Sequence, residues 1–270
     1  MDKKRIDTEL VRRGLCKSRH KAQALIMAGE VYIDEVKIIK PSEYISENAN
    51  IIIRNKNDDF VGRGAYKLDK AIKVFNAEVS GKICIDIGAA TGGFTDVLLK
   101  NGAKKVYAID VGYGQFDWKL RNDTRVVLYE RTNARYLNKE MFSEIPEIVV
   151  MDVSFISIKL IIPELLKVLA DEPTMYVLIK PQFEAGKENV GKNGVIKDPK
   201  VHIEVIKNIS EFLEGINLCI TKLDYSPIKG PKGNIEYICE IKKALLNDKT
   251  IDIDQVVYNA HNNLNIKNEQ

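Results

Sequence analysis

Asp86-Ile87-Gly88-Ala89-Ala90-Thr91-Gly92-Gly93-Phe94 continues an apolar run that begins at Ile83 and leads into a second apolar stretch, the pattern of a buried strand turning into a helix. Glycines at 88, 92 and 93 let the main chain fold tightly and approach a ligand of nucleotide type. Two ligand classes compete for such a turn. A dinucleotide fingerprint also places glycines here and an acid about 20 residues on, and Asp110 lies 22 positions after Gly88. The second fingerprint glycine lets pyrophosphate touch the backbone, but this chain has Ala90 there, whose methyl group crowds that contact. S-adenosylmethionine carries no phosphate, so its binding tolerates the alanine. Asp110 ends the next apolar run and could accept hydrogen bonds from both ribose hydroxyls of such a ligand; the alternative is a turn aspartate before Gly112.

Outward from this turn, apolar runs at 83–87, 106–109, 126–129, 148–151, 175–179, 216–220 and 235–241 alternate with helical stretches or loops. That alternation predicts an α/β domain with a doubly wound, Rossmann-like sheet. One helix is well bounded: Asp198 as N-cap, Pro199 at the first position, Ile203, Ile206, Ile209, Phe212 and Leu213 at helical spacing, and Gly215 at the end. Residues 246–270 form a polar tail with room for one more helix and no assigned role.

Four polar residues stand against these strands: Lys67 in G-R-G-A-Y-K-L, Asp152 in V-V-M-D-V-S-F, Lys180 in V-L-I-K-P-Q-F-E and Glu236 in G-P-K-G-N-I-E-Y. Asp152 and Lys180 follow apolar runs, so they emerge at the carboxyl ends of strands, where open sheets bind ligands. Glu236 reaches the same edge if its strand is antiparallel, and Lys67 begins a helix that starts near it. A ribose hydroxyl is a poor nucleophile, so its methylation needs in-line positioning and removal of a proton. Lys180 is the candidate for orienting it and, as a neutral amine, deprotonating it; the alternative is that Lys180 only steers an oxygen lone pair toward the methyl carbon, and in either case Lys67, Asp152 and Glu236 hold the geometry. The competing reading is a set of unrelated surface ion pairs.

The N-terminal stretch differs in character. Residues 1–21 hold eight lysines and arginines against three acids, whereas the whole chain carries 41 basic and 38 acidic side chains. A basic head on a near-neutral body suggests a docking surface for an anionic partner. A short helix over 7–13 is stopped by Gly14, and Ser18 caps a second one that runs to Gly29. Strands follow around Val31–Ile33, Val36–Ile38 and Ile51–Ile53, with Asp34-Glu35 as a turn. Arg5, Arg12, Arg13, Lys17, Arg19 and Lys21 are the candidate RNA-binding residues; the alternative is a merely solvated face. The expected map is a head at 1–57, a linker at 58–64, a catalytic domain at 65–245 and the tail at 246–270. Cys16, Cys84, Cys219 and Cys239 form no C-x-x-C pair and read as reduced residues, and no metal site is expected. The opening Met-Asp-Lys-Lys-Arg has no apolar segment behind it, and no apolar stretch is long enough to span a bilayer, so a cytoplasmic protein without membrane association is expected.

Residues 5–34, R-I-D-x-x-L-V-R-R-G-L-x-x-S-R-x-x-A-x-x-L-I-x-x-G-x-V-x-I-D, resemble the S-four-type RNA-binding module, a small α+β domain. The order Lys, Asp, Lys, Glu resembles the tetrad of FtsJ-type ribose 2'-O-methyltransferases. With the head in front, and with D-V-G-Y-G-Q, E-R-T-N-A-R, D-V-S-F-I-S and K-P-Q-F-E-x-G-K, the chain is similar to the hemolysin TlyA family. The resemblance implies a class I methyltransferase sheet, parallel with an antiparallel last strand. It implies catalysis by Lys67, Asp152, Lys180 and Glu236. It also implies an S-adenosylmethionine pocket lined by Asp86, Gly88, Ala89, Ala90, Gly92, Gly93, Asp110, Asn133 and Asp152. The expected reaction is cytidine 2'-O-methylation of rRNA in ribosomal subunits, and the chain's length leans toward both subunits. Where family members carry a basic residue and a tryptophan in the linker, this chain has Asp58-Asp59-Phe60-Val61. The rival readings are a noncatalytic RNA-binding or assembly factor and a pore-forming toxin. An intact tetrad argues against the first, and the lack of a long amphipathic or exported segment against the second.

Overall fold

The structure, a computed structural model, describes residues 3–33, 36–46, 49–53, 60–186, 189–191, 193–230, 232–244 and 251–266. The chain divides into two compact units, Met1–Asp59 and Phe60–Gln270. The expected turn at Asp34-Glu35 and the linker residues Asp58 and Asp59 lie outside the described residues.

The first unit runs β1 (Lys3–Arg5), α1 (Ile6–Arg12), α2 (Arg19–Met27), β2 (Val31–Ile33), β3 (Val36–Ile38), β4 (Tyr44–Ser46) and β5 (Ile51–Ile53). Gly14 takes φ +67° just past α1, a conformation that glycine adopts without strain. The Ser18 hydroxyl accepts the Lys21 amide at 3.2 Å and caps α2. β2 pairs antiparallel with both β3 and β5, and β1 pairs antiparallel with β4. Ile6, Leu10, Ala22, Ile26, Val31, Ile38 and Ile45 close a small core.

The second unit runs α3 (Ala65–Phe75), β6 (Ile83–Ile87), α4 (Gly93–Lys100), β7 (Lys105–Ile109), α5 (Trp118–Arg121), β8 (Val126–Tyr129), β9 (Ile148–Met151), α6 (Ile162–Leu165), β10 (Thr174–Ile179), α7 (Pro181–Glu184), α8 (Pro199–Glu214), β11 (Leu218–Tyr225), β12 (Tyr237–Lys243) and α9 (Ile253–Ile266). Its sheet has the order β11-β12-β10-β9-β6-β7-β8. β6 to β10 are mutually parallel, and β12 runs antiparallel to both β10 and β11. The antiparallel strand is thus last in the chain but second from the sheet's edge.

Helices on both faces explain why the central strands read as unbroken apolar runs. Ile85, Ile87, Val149, Met151, Val177 and Ile179 pack with α8, and the alternate residues Cys84, Val150, Tyr176 and Leu178 pack with α3 and α4. Each fully buried aliphatic side chain contributes about 1.5–3 kcal/mol, so a one-residue slip would forfeit several such contributions at once. The register therefore places Ile87 beside Met151 and Ile179 beside Tyr237, lining up the strand ends that carry the polar residues. α8 begins as expected, with the Asp198 carboxylate accepting the Lys200 amide at 2.9 Å. α9 docks Val257, Ala260 and Leu264 onto the same core as α8. No disulfide joins the four cysteines, and among the described residues no helix is long and apolar enough to cross a membrane.

Candidate active site and nucleic-acid surface

Asp152 is the first residue beyond β9 and Lys180 the first beyond β10, so parallel strands deliver both to one sheet edge. Because β12 is antiparallel, Glu236, the residue before it, starts at that edge too. Lys67 lies in the first turn of α3. All four meet. The Lys67 ammonium lies 2.7 Å from Glu236 Oε2 and 3.0 Å from Asp152 Oδ2, and the Lys180 ammonium lies 2.5 Å from Asp152 Oδ1. Lys180 also donates to the Ser154 hydroxyl at 2.9 Å. The result is a chain Glu236–Lys67–Asp152–Lys180 of alternating charge. The Lys67, Lys180 and Glu236 side chains are 8%, 8% and 1% exposed, and Asp152 is 18% exposed.

Electrostatics follow from that order. Burial works against the Lys67 ammonium, but the Asp152 and Glu236 carboxylates outweigh it and raise its pKa. Burial likewise opposes the charge on Asp152, and Lys67 and Lys180 overcome it to hold the carboxyl below its ordinary range. Lys67 is thereby fixed as a cation between two anions.

The glycine turn abuts this cluster. The Asp152 amide donates to the Ile87 carbonyl at 3.0 Å. Gly88 has φ +81°, and a Cβ there would sit 2.7 Å from the Asp152 carbonyl oxygen. The amides of Gly88 and Ala89 donate to Ile109, that of Ala90 to Asp110 Oδ2 at 2.8 Å, and that of Gly92 to Ala89. These donors are committed internally, so the turn offers no cradle of free amides at those positions for a pyrophosphate. Ala90 itself adopts φ +47°. Asp110 also accepts the Gly112 amide at 2.6 Å. It is therefore the turn aspartate of the alternative reading, while each carboxylate oxygen retains a second lone pair for a hydroxyl donor. Asp86 is fully buried; its Oδ2 accepts from the Thr95 amide and hydroxyl, whereas Oδ1 has no hydrogen-bond partner among the described residues. Burial pushes its carboxyl up to about 7. Asn133 is half-buried and caps a turn by accepting the Arg135 amide at 3.0 Å.

Ser154 escaped sequence reasoning, although its place two residues after Asp152 was a usable signal. Next to it, Phe155 has φ +66° and is 88% exposed, with its ring centroid 5.0 Å from that of Phe183. Glu184 holds this segment by accepting from the Ser157 hydroxyl at 2.6 Å and the Ile158 amide at 2.9 Å. Within the stretch expected to be the linker, Phe60 packs edge-on against Tyr66, and the Val61 amide donates to Asp96.

In the first unit the basic residues are organised by two buried acids. Asp7, 0% exposed, accepts from Arg5, Arg19 and Gln23; Glu9, 1% exposed, accepts from Arg12 and Arg13. The Arg5 guanidinium holds the Asp7 carboxyl far below its usual range, and Arg12 and Arg13 draw Glu9 down to about 2 against its burial. Arg12 and Arg19 remain 52% and 56% exposed, Lys17 and Lys21 are exposed, and Arg13 is half-buried with a further bond to the Ala49 carbonyl.

Comparison with known proteins agrees with this geometry. Residues 60–243 match the FtsJ-like methyltransferase family and residues 4–51 the S4 domain. The 16S/23S rRNA (cytidine-2'-O)-methyltransferase TlyA of Mycobacterium tuberculosis is 43% identical over 86% of this chain and 87% of its own length. A relative named Hemolysin A from Brachyspira hyodysenteriae is 46% identical over 87% of this chain and 98% of its own length. A solved hemolysin-named structure from Streptococcus thermophilus superposes with a TM-score of 0.81 at 41% identity over the full length of both chains. With its sheet order, its cluster of two lysines and two acids and its match over most of its length, this chain belongs to the FtsJ-like methyltransferase family and carries an S4 domain in front.

Proposed function

We propose that this protein transfers a methyl group from S-adenosylmethionine to the 2'-hydroxyl of a cytidine in ribosomal RNA within ribosomal subunits. The observation that carries the reading is the unbroken ion-pair chain from Glu236 through Lys67 and Asp152 to Lys180, in contact with the glycine turn. S-adenosylmethionine, when bound, supplies an electrophilic methyl carbon on a cationic sulfur. The residues present fit it: the internally committed amides disfavour a phosphate, the unpartnered Asp86 Oδ1 suits a cationic ligand, and Asp110 keeps acceptor capacity for hydroxyls. Asp86, Gly88, Ala89, Ala90, Gly92, Gly93, Asp110, Asn133 and Asp152 would hold it.

Lys180 then orients the ribose hydroxyl; it accepts the hydroxyl proton as the oxygen is methylated only after its own ammonium has given up a proton, because the neutral amine alone has the lone pair the step needs. Asp152, bridging both lysines, aligns Lys180 and stabilises the ammonium that forms. Lys67 fixes Asp152, and Glu236 fixes Lys67. The exposed Phe155 ring beside them is a surface on which an unstacked base can rest. In this reading residues 1–57 dock RNA through Arg5, Arg12, Arg13, Lys17, Arg19 and Lys21, residues 58–64 join the domains and residues 65–245 perform the transfer in the cytoplasm. The relative named for both 16S and 23S rRNA supports action on both subunits.

The test incubates purified protein with radiolabelled S-adenosylmethionine and each ribosomal subunit, then digests the RNA to nucleosides. Label should appear in 2'-O-methylcytidine, and Lys180→Ala should abolish it while RNA binding persists. Label confined to a base, or full turnover by the variant, contradicts the proposal.

A further inference from the structure

A concavity beside the tetrad is used by none of the steps above. It is a groove of about 1070 Å³, and its walls include Asn189, Asn193, Lys197, Asp198, Lys229 and Lys232. One wall comes from the segment between α7 and α8, the other from the loop between β11 and β12. The buried side chain of Asn234 ties them together: its Oδ1 accepts the Ile196 amide at 3.1 Å and its Nδ2 donates to the Gly194 carbonyl at 2.8 Å. His202 bonds the Ile196 carbonyl from behind at 3.2 Å, so the groove is braced from the core.

Both walls grow out of the tetrad. The first follows Lys180 through α7. The second leads into Glu236, and it approaches that carboxylate so closely that a Cβ on Gly230 would lie 2.5 Å from Oε1. Arg63, just ahead of the helix that carries Lys67, donates to the Lys229 carbonyl at 3.0 Å. A polymer with one unit held at Lys180 therefore meets this groove as it leaves the site.

The groove's charge suits a polyanion. Three lysines face one acid, and the Asp198 carboxylate is already engaged with the Lys200 amide. Lys197 and Lys232 are exposed and form no ion pair among the described residues. Ammonium groups such as those of Lys197 and Lys232 along a groove are what a sugar–phosphate backbone neutralises, with release of its counterions.

We propose that this groove is the path of the RNA strand adjoining the target nucleotide, with Lys197, Lys229 and Lys232 on its phosphates; the inference rests on the RNA-methylating reading of the tetrad. The measurement compares full-length wild type with the triple variant K197A/K229A/K232A on ribosomal RNA. Binding is read across a salt series, and methyl transfer is read in parallel. The triple variant should bind about tenfold more weakly at moderate salt, and its plot of log affinity against log salt should be shallower by about two, near 0.7 per lost phosphate contact. Affinity for S-adenosylmethionine should not change, and K197R/K229R/K232R should restore both affinity and slope. Wild-type affinity and slope in the alanine variant would overturn the groove while leaving the methylation reading intact. A wild type that transfers no methyl group yet shows the slope difference would instead overturn the methylation reading and keep the groove as an RNA path.

Discussion

The two units use the same ingredients, lysine or arginine against aspartate or glutamate, to opposite ends. In the first unit the carboxylates of Asp7 and Glu9 are buried and the guanidinium groups reach outward, with Arg12 and Arg19 more than half exposed. In the second, Lys67 and Lys180 are themselves buried, each less exposed than the Asp152 they share. A buried acid under a solvent-facing arginine spends little of the cation's capacity, because the planar guanidinium keeps further donors for another anion. An ammonium enclosed by carboxylates is oriented for whatever reaches that one spot. In the proposed reading one arrangement serves as a docking surface and the other as a reaction centre.

The sharpest way to break this contrast is Asp152→Asn, which leaves both lysines without their shared counter-charge. Methyl transfer should fall by about 10³-fold, as expected when a charge that stabilises a developing cation is removed, while RNA affinity stays within about twofold. Equal losses in both assays would mean that the centre and the surface are not separable. Next in size is Gly88→Ala. Its φ of +81° and the 2.7 Å approach to the Asp152 carbonyl should together cost about 2–5 kcal/mol, read as a lower midpoint in denaturant.

Acid should weaken the two units in different windows. His202 is fully buried, bonded to the Tyr237 hydroxyl at 2.8 Å and to His261 at 3.2 Å, and burial lowers its pKa from 6.5 to about 4. The unfolded chain then binds the proton first, so stability is full above 6.5 and declines toward pH 4, by about 3 kcal/mol. Hydrogen exchange in α8 and α9 should report it, and His202→Gln should flatten it. Glu9 has the later window: its folded pKa is about 2 against an ordinary 4.5, so its contribution is full above 4.5 and is lost as pH falls through about 2. Glu9→Gln at neutral pH should destabilise α1 by on the order of 1 kcal/mol and weaken RNA binding through misoriented Arg12 and Arg13. Unchanged exchange in α1 would show that Glu9 does not organise the surface.

Much of this was legible in the letters because it rests on local pattern. Apolar runs ending in a lone polar residue located Asp152 and Lys180, and Asp198-Pro199 with Gly215 bounded α8. Glu236 needed a conditional step, since its place depends on the direction of β12, which pairing partners decide rather than composition. β1 and β4 were missed: Lys3–Arg5 has no apolar alternation, and its pairing to Tyr44–Ser46 spans some forty residues. The burial of Asp7 and Glu9 was hidden for a related reason, because counting charges cannot tell an acid that offsets a basic surface from one that builds it. The tail left room for α9 but not its docking face, because Val257, Ala260 and Leu264 form a stripe too narrow to stand out. Local rules find strands and caps, and long-range pairing settles the remainder.

The most direct test of the central claim is a single-turnover measurement with ribosomal RNA and S-adenosylmethionine both saturating, comparing wild type with Lys180→Met. If Lys180 handles the ribose proton, the methyl-transfer rate should collapse by about 10³-fold or more while both ligands bind normally. A rate within a few-fold of wild type, with the product still a 2'-O-methylated cytidine, would contradict it.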